Sequence, residues 1–263
     1  MKKLNTELKT SHFTLGTWSQ CASPEILEII GYSNFDFTII DTEHGYFGLE
    51  TAENLVRAAE AAQIMPIVRV PVNEPHMIMK ALDIGAQGVI VPQITSREGA
   101  QKAISAARYY PDGTRGACPC VRAGQHHVRE WDHFARRSNI ESTVILLIEG
   151  PEGMTNVREI VSTEGLDAVM IGPFDLSVSL GVGGQLDHEK VTSFFLNVIG
   201  MCRDAGVELI IPNFDLDQEK ARIAIERWRA LGCKHFTVGT DKLLFANYMK
   251  QFGGHVRPMP AQT

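Results

Sequence analysis

Eight times along this chain a short run of β-prone apolar residues gives way, after a turn, to a stretch with apolar residues at helical spacing. The strand runs are 13–18, 36–41, 66–71, 89–92, 144–149, 168–172, 207–212 and 235–239. Each is too brief for a helix, and most are apolar throughout, as strands buried on both faces of a helix-covered parallel sheet must be. Eight such alternations are the number a closed parallel barrel needs, so the fold class expected is α/β, a (β/α)8 TIM barrel. The 263 residues are about right for one barrel of this kind, and residues 1–263 are read as a single domain.

Between them, helices are expected at 24–30, 49–62, 77–82, 96–109, 154–162, 189–205, 217–231 and 242–251. The stretch 111–139 breaks the rhythm. Pro111-Asp112-Gly113 stops the preceding helix, and a further helix is expected near 128–137. Longer than an ordinary loop, this insertion is a candidate lid or oligomer contact.

Composition excludes several function classes. A net charge of −6 offers no basic field for a phosphate backbone, so nucleic acid is not an expected partner. No run approaches the roughly 20 apolar residues of a membrane span. The basic start at 1–9 lacks the apolar core of a signal peptide, so a cytoplasmic location and no membrane partner are expected, with disorder confined to the chain ends. Five scattered cysteines include one close pair, Cys118-Pro-Cys120, without a second pair to complete a zinc site; free thiols are expected, most of them buried.

The chemistry is expected at strand ends. Glu149 and Asp175 close two successive apolar runs, and at the carboxyl-terminal face of a barrel they would emerge together. Two hard oxygen ligands suit a divalent ion such as Mg2+ or Mn2+, with other positions left to water and substrate. Arg69 ends the third run, where a guanidinium needs an anion; an ion pair with Asp41 is the structural alternative to a catalytic role. His44 lies three residues beyond Asp41, close enough for that carboxylate to orient its ring. Trp18 ends the first run, as a pocket wall or a core aromatic. Gly181-Val-Gly-Gly184 lacks the Lys-Ser/Thr ending of a phosphate loop. Asp241, after the eighth strand, would repel a phosphate there.

The motifs Asp41-Thr-Glu-His44-Gly, Arg69-Val-Pro, Leu82-Asp83-Ile-Gly-Ala-Gln-Gly-Val-Ile-Val-Pro, Arg115-Gly, Ile148-Glu149 and Ile171-Gly172-Pro-Phe174-Asp175-Leu-Ser resemble those of the metal-dependent class II pyruvate aldolases, the HpcH/HpaI aldolase/citrate lyase family. The resemblance runs from about Leu15 to the last strand. It implies a barrel of the phosphoenolpyruvate/pyruvate type and a lyase that splits a 4-hydroxy-2-oxo acid into pyruvate and an aldehyde through an enolate. It implies Glu149 and Asp175 as ligands of Mg2+ or Mn2+, with Co2+ also able to serve, and Arg69 as the group stabilising the enolate oxygen. His44 is implied as the base for the aldol hydroxyl, tuned by Asp83, while Gly172 and Phe174 are implied substrate contacts, Phe174 through its backbone. No lysine ends a strand, which fits a metal route over a Schiff base. The resemblance also implies a homohexamer in which the last helix exchanges between barrels. Asp83 precedes strand four, at the opposite face from its own site, so it would have to reach a neighbouring subunit.

Two departures stand out. Family aldolases commonly carry a substrate-contacting glutamine two residues before the metal glutamate, where this chain has Leu147. The segment 118–127 adds Arg122, His126 and His127. A different acceptor aldehyde, a citryl-thioester-type lyase, and a catalytically idle barrel that binds a 2-oxo acid therefore remain as alternatives.

Overall fold

The computed structural model describes residues 2–257, and Met1 and residues 258–263 lie outside the described residues, as does any expectation about the chain ends that falls on them. A helix α1 (Leu4–Thr10) leads into β1 (Thr14–Ser19), α2 (Pro24–Gly31), β2 (Phe37–Asp41), α3 (Leu49–Ala61), β3 (Met65–Arg69), α4 (Pro75–Asp83), β4 (Gly88–Val91) and α5 (Arg97–Ala107). After a long irregular segment come α6 (Trp131–Glu141), β5 (Thr143–Ile148), α7 (Gly150–Thr155), α8 (Val157–Val161), β6 (Ala168–Ile171), α9 (Pro173–Ser179), α10 (Glu189–Ala205), β7 (Glu208–Asn213), α11 (Gln218–Arg229), β8 (His235–Thr240) and α12 (Asp241–Val256). The eight strands pair in sequence order, all parallel, and β1 closes on β8. The expected (β/α)8 barrel is the observed one.

Side chains alternate between two cores because successive strand residues point to opposite faces. Phe37, Ile39, Ile67, Ile90, Ile145, Leu147, Met170 and Ile210 fill the barrel interior, while Ile40, Val68, Val89, Leu146 and Ile171 face the helices. Deep burial on both sides explains why these runs are continuously apolar.

The sequence reading missed α1, whose seven residues carry only two buried leucines. Leu4 and Leu8 lie one turn apart and plug the amino-terminal end of the barrel against its interior cluster. Gly88 makes this possible, since a Cβ there would come 2.7 Å from Leu4 Cδ2. Asn5 Nδ2 donates to Asp167 Oδ1 at 2.9 Å, and the backbone N–H of Leu4 donates to Gln87 Oε1 at 2.7 Å. Short α9, directly after β6, was also missed, and the single helix expected at 154–162 is two short ones, α7 and α8.

The insertion contradicts half of its expectation. It joins the end of α5 to the start of β5, so topology puts it at the amino-terminal rim, away from its own barrel's mouth. Arg122 NH1 donates to the carbonyl of Ile84, between α4 and β4, and Arg122 also pairs with Glu60 at the end of α3. Tyr109, Trp131 and Phe134 form a small aromatic cluster that fixes the segment there. It is no lid over its own site; the oligomer-contact alternative stands.

Candidate active site

Glu149 and Asp175 meet at the carboxyl-terminal rim because β5 and β6 are paired neighbours, Ile148 opposite Ile171. The chain then starts a helix immediately after each strand, which holds both acids close to the barrel mouth. Gly172, between β6 and α9, gives them room: a Cβ on it would lie 3.2 Å from Asp175 Oδ2 and 3.8 Å from Glu149 Oε2. The two carboxylates thus flank one small volume. Phe174 is exposed, and its backbone N–H belongs to the first turn of α9, where no intrahelical carbonyl is available to it.

Arg69, at the end of β3, is gripped from three sides. Its Nε donates to Asp41 Oδ1 at 2.9 Å and its NH2 to Asp41 Oδ2 at 2.6 Å, a bidentate pair between strand ends in register. Trp18 lies beneath, with the guanidinium carbon 4.5 Å from its ring centroid. The indole is buried and its Nε1 donates to Thr237 Oγ1 at 3.1 Å, which makes Trp18 the support of Arg69. The third contact comes from Glu43, a residue the sequence reading passed over: its Oε2 is 3.0 Å from Arg69 NH1, yet has no aligned hydrogen bond. Glu43 was visible in the polar cluster at the end of β2, but nothing in the sequence showed which of its acids would face inward.

Asp41 is fully engaged. Besides Arg69 it accepts from Gln20 Nε2 at 2.9 Å and from the backbone N–H groups of Glu43 and His44 at 3.1 and 3.2 Å. It therefore orders the loop that carries His44 through the backbone, and the expected contact of Asp41 with the imidazole is not made. The His44 ring is exposed and makes no hydrogen bond among the described residues.

The charges divide into two kinds. Burial would raise the Asp41 carboxyl, but Arg69, with help from Gln20 and the His44 N–H, outweighs it and holds the group below its usual range. Glu149 stays above its usual range, pushed by burial and then by Glu43, with Asp175 adding to this and the N–H of Gln93 opposing it. Glu43 is raised too, first by burial, against the pull of Arg69. Three carboxylates thus face one another with too little positive charge between them. Among the described residues no three His, Cys, Asp or Glu side chains are arranged to ligate one ion. A hard divalent cation would take Glu149 and Asp175 and complete its shell with water and ligand oxygens, for which this oxygen-only pair is suited.

Leu147 points into the barrel two residues before Glu149 and is buried in the interior cluster with Trp18 and Ile210, giving the site an apolar floor. Asp83 ends α4, at the opposite rim, where its Oδ1 accepts from Arg115 NH2 at 2.6 Å. It is not brought to the site of its own barrel.

The doubt about a phosphate site after β8 gains a cause. Asp241 accepts from the backbone N–H groups of Gln20, Cys21 and Lys242, at 3.0, 2.9 and 2.7 Å, so the chain's own carboxylate fills the place an anion would take. The cysteines are free, with Cys202 and Cys233 buried, Cys21 half-buried, and Cys118 and Cys120 exposed.

Residues 14–241 match the family model described as HpcH/HpaI aldolase/citrate lyase. The chain is 33% identical over 202 residues, 77% of its length and 78% of the relative's, to the 2-dehydro-3,6-dideoxy-6-sulfogluconate aldolase of Pseudomonas putida. It is 34% identical over 204 residues, 78% of its length and 79% of the relative's, to the 5-keto-4-deoxy-D-glucarate aldolase of Salmonella paratyphi A. Among solved structures, that of the citrate synthase SbnG superposes with a TM-score of 0.85 at 32% identity, covering 96% of each chain. The chain belongs to the HpcH/HpaI aldolase/citrate lyase family, and it is a carbon–carbon lyase.

Proposed function

We propose that this protein catalyses the divalent-metal-dependent retro-aldol cleavage of a 4-hydroxy-2-oxo acid to pyruvate and an aldehyde. The observation that carries this reading is the pair Glu149 and Asp175, which flank one small volume at the carboxyl-terminal rim beside Glu43 and Arg69. The pair would hold Mg2+, Mn2+ or Co2+, which supplies Lewis-acid polarisation of the 2-oxo group. His44 accepts the proton of the 4-hydroxyl, directly or through water. The bond between C3 and C4 then breaks, the aldehyde leaves, and the electron pair passes onto the pyruvate fragment as its enolate. Arg69 stabilises that charge: Asp41 engages two of its five N–H donors and fixes the fork, and further donors remain. Reprotonation at C3 completes pyruvate.

The test is pyruvate release from a panel of 4-hydroxy-2-oxo acids. Activity should vanish with EDTA and return with Mg2+, Mn2+ or Co2+; undiminished turnover in chelator would overturn the metal assignment. The likeness to a citrate synthase structure favours one second reading, carbon–carbon bond chemistry on an oxaloacetate or thioester partner. Turnover of those substrates alone, with none of the aldols, would select it.

The working unit we infer is a homo-oligomer, a hexamer by family analogy, in which α12 is exchanged. In the isolated chain α12 leaves Leu244, Phe245, Tyr248, Met249, Phe252 and Val256 exposed, more apolar surface than one helix keeps in water. A groove of about 560 Å3 beside α11, lined by Phe13, Leu216, Ile225 and Leu244, is apolar enough to receive a neighbour's helix. Asp83 would then act on a neighbour's His44. Mixing Asp83→Ala with His44→Ala subunits under exchange should recover part of the activity. An active monomer, or no recovery despite proven exchange, would exclude the shared site.

A further inference from the structure

The site is rich in acceptors and short of free donors, although its proposed ligand is an anion. Glu43, Glu149 and Asp175 only accept when ionised. The Gln20 amide is committed to Asp41, the Trp18 indole to Thr237, and two donors of the Arg69 fork to Asp41, its remaining donors being those assigned to the enolate oxygen. Leu147 contributes no polar atom. Of the further amides at this rim, Asn73 Nδ2 donates to the Gly99 carbonyl at 2.9 Å and Asn213 Nδ2 to the Ala221 carbonyl at 3.4 Å, which leaves Gln93.

Gln93 follows β4 directly after Pro92 and lies alongside β5, where Val91 pairs with Leu146 and the N–H of Ile94 reaches the carbonyl of Leu147 at 3.2 Å. Its own backbone N–H donates to Glu149 Oε1 at 3.1 Å. To do so it adopts φ +54°, a left-handed conformation that non-glycine residues rarely hold. Of the five non-glycine residues with positive φ among the described residues, Asn34, Gln63, Gln125 and His126 sit in segments of the amino-terminal rim, and Gln93 alone is at the mouth. Its exposed carboxamide has no hydrogen-bond partner among the described residues.

We propose that the Gln93 carboxamide is the neutral donor that binds the carboxylate of the 2-oxo acid, beside an apolar wall formed by Leu147. This rests on the proposed 2-oxo acid site and adds to it the specificity-determining residue. A glutamine suits the position because it donates without neutralising the acids that a cation must use. The left-handed backbone aligns recognition with the metal glutamate, since one residue supplies the N–H that orients Glu149 and the amide that meets the ligand.

The variant Gln93→Gly removes the amide while keeping the backbone N–H and relieving the left-handed conformation; Leu147→Gln, added to it, restores an amide from the adjoining strand. Calorimetry with Mn2+ alone, and with oxalate on the Mn2+-loaded protein, separates the roles. Gln93→Gly should weaken oxalate about tenfold, the scale of one lost hydrogen bond, and raise KM similarly while kcat stays within about twofold. Mn2+ affinity should not change, and Leu147→Gln should recover most of the oxalate binding. Unchanged oxalate affinity in Gln93→Gly overturns the proposal, as does a parallel loss of Mn2+ affinity, which would make Gln93 a positioning residue for Glu149. If Glu149→Ala binds oxalate as tightly as the wild type does, the underlying site is wrong and not merely the assignment of Gln93.

Discussion

The two rims of this barrel treat charge in opposite ways. At the amino-terminal rim three half-buried acids each have a basic partner: Asp167 meets Arg108 at 2.7 Å, Asp83 meets Arg115 at 2.6 Å, and Glu208 has Lys234 at 3.5 Å and the His235 ring at 3.3 Å. At the carboxyl-terminal rim burial holds Glu149 and Glu43 above their usual range, with Glu43 and Asp175 adding to this at Glu149 and Asp41 and Asp175 at Glu43. One end matches its acids with basic partners; the other leaves its acids short of positive charge. Perturbed carboxylates in a cleft are where barrel enzymes work, and this chain keeps its imbalance at that end.

The largest effect should come from the unbalanced end. Glu149→Ala or Asp175→Ala should reduce pyruvate release to background while leaving the fold intact, and wild-type turnover by either in metal-free buffer would erase the contrast. Stability should move the other way. Glu149 is held above its usual pKa in the native state, so the metal-free native protein binds more protons there than the unfolded chain. Its penalty is present above the folded pKa and relieved as pH falls through it. Glu149→Gln should accordingly raise the thermal midpoint in EDTA at neutral pH, and a lowered midpoint would show that the strain is absent.

Arg69→Ala tests the exception, a charge at the carboxyl-terminal end that holds a bidentate pair with Asp41. It should lower kcat by roughly 10²–10³-fold with a smaller change in KM. It should also destabilise the fold by about 3–5 kcal/mol, because Asp41, fully buried, loses its partner. An unchanged kcat with lost stability would move Arg69 to the structural class.

Asp167→Ala should do the converse. Its carboxylate binds Asn5, Arg108 and the N–H of Val144, so its loss strands buried Arg108 and loosens α1. Denaturant titration should register about 3 kcal/mol, with kcat unaltered. The smallest effect belongs to Glu208, whose carboxyl the His235 ring holds below its usual range, against burial, with Lys234 assisting. That stabilisation is present above the unfolded pKa and lost as pH falls through the lower folded value. Glu208→Gln should therefore flatten the acid limb of a stability profile below about pH 4.5, by less than about 1 kcal/mol at this partly exposed site.

The barrel itself was legible in the sequence because strand burial on both faces leaves a one-dimensional record, continuous apolar runs at regular intervals. The strand ends were legible for the same reason, so Glu149, Asp175, Arg69 and Asp41 could be picked out as charges that interrupt or close such runs. The plug α1 left no such record, with two leucines in seven residues, and only the open end of the barrel gave them a reason to be helical. The bond of Asp41 to the backbone of His44, the inward turn of Glu43 and the left-handed twist that aims Gln93 at Glu149 were likewise decided in three dimensions. Hydrophobic burial follows sequence periodicity and can be read along the chain. The partner of a polar group depends on which strand ends the closed barrel brings side by side, and that is fixed only when β1 meets β8.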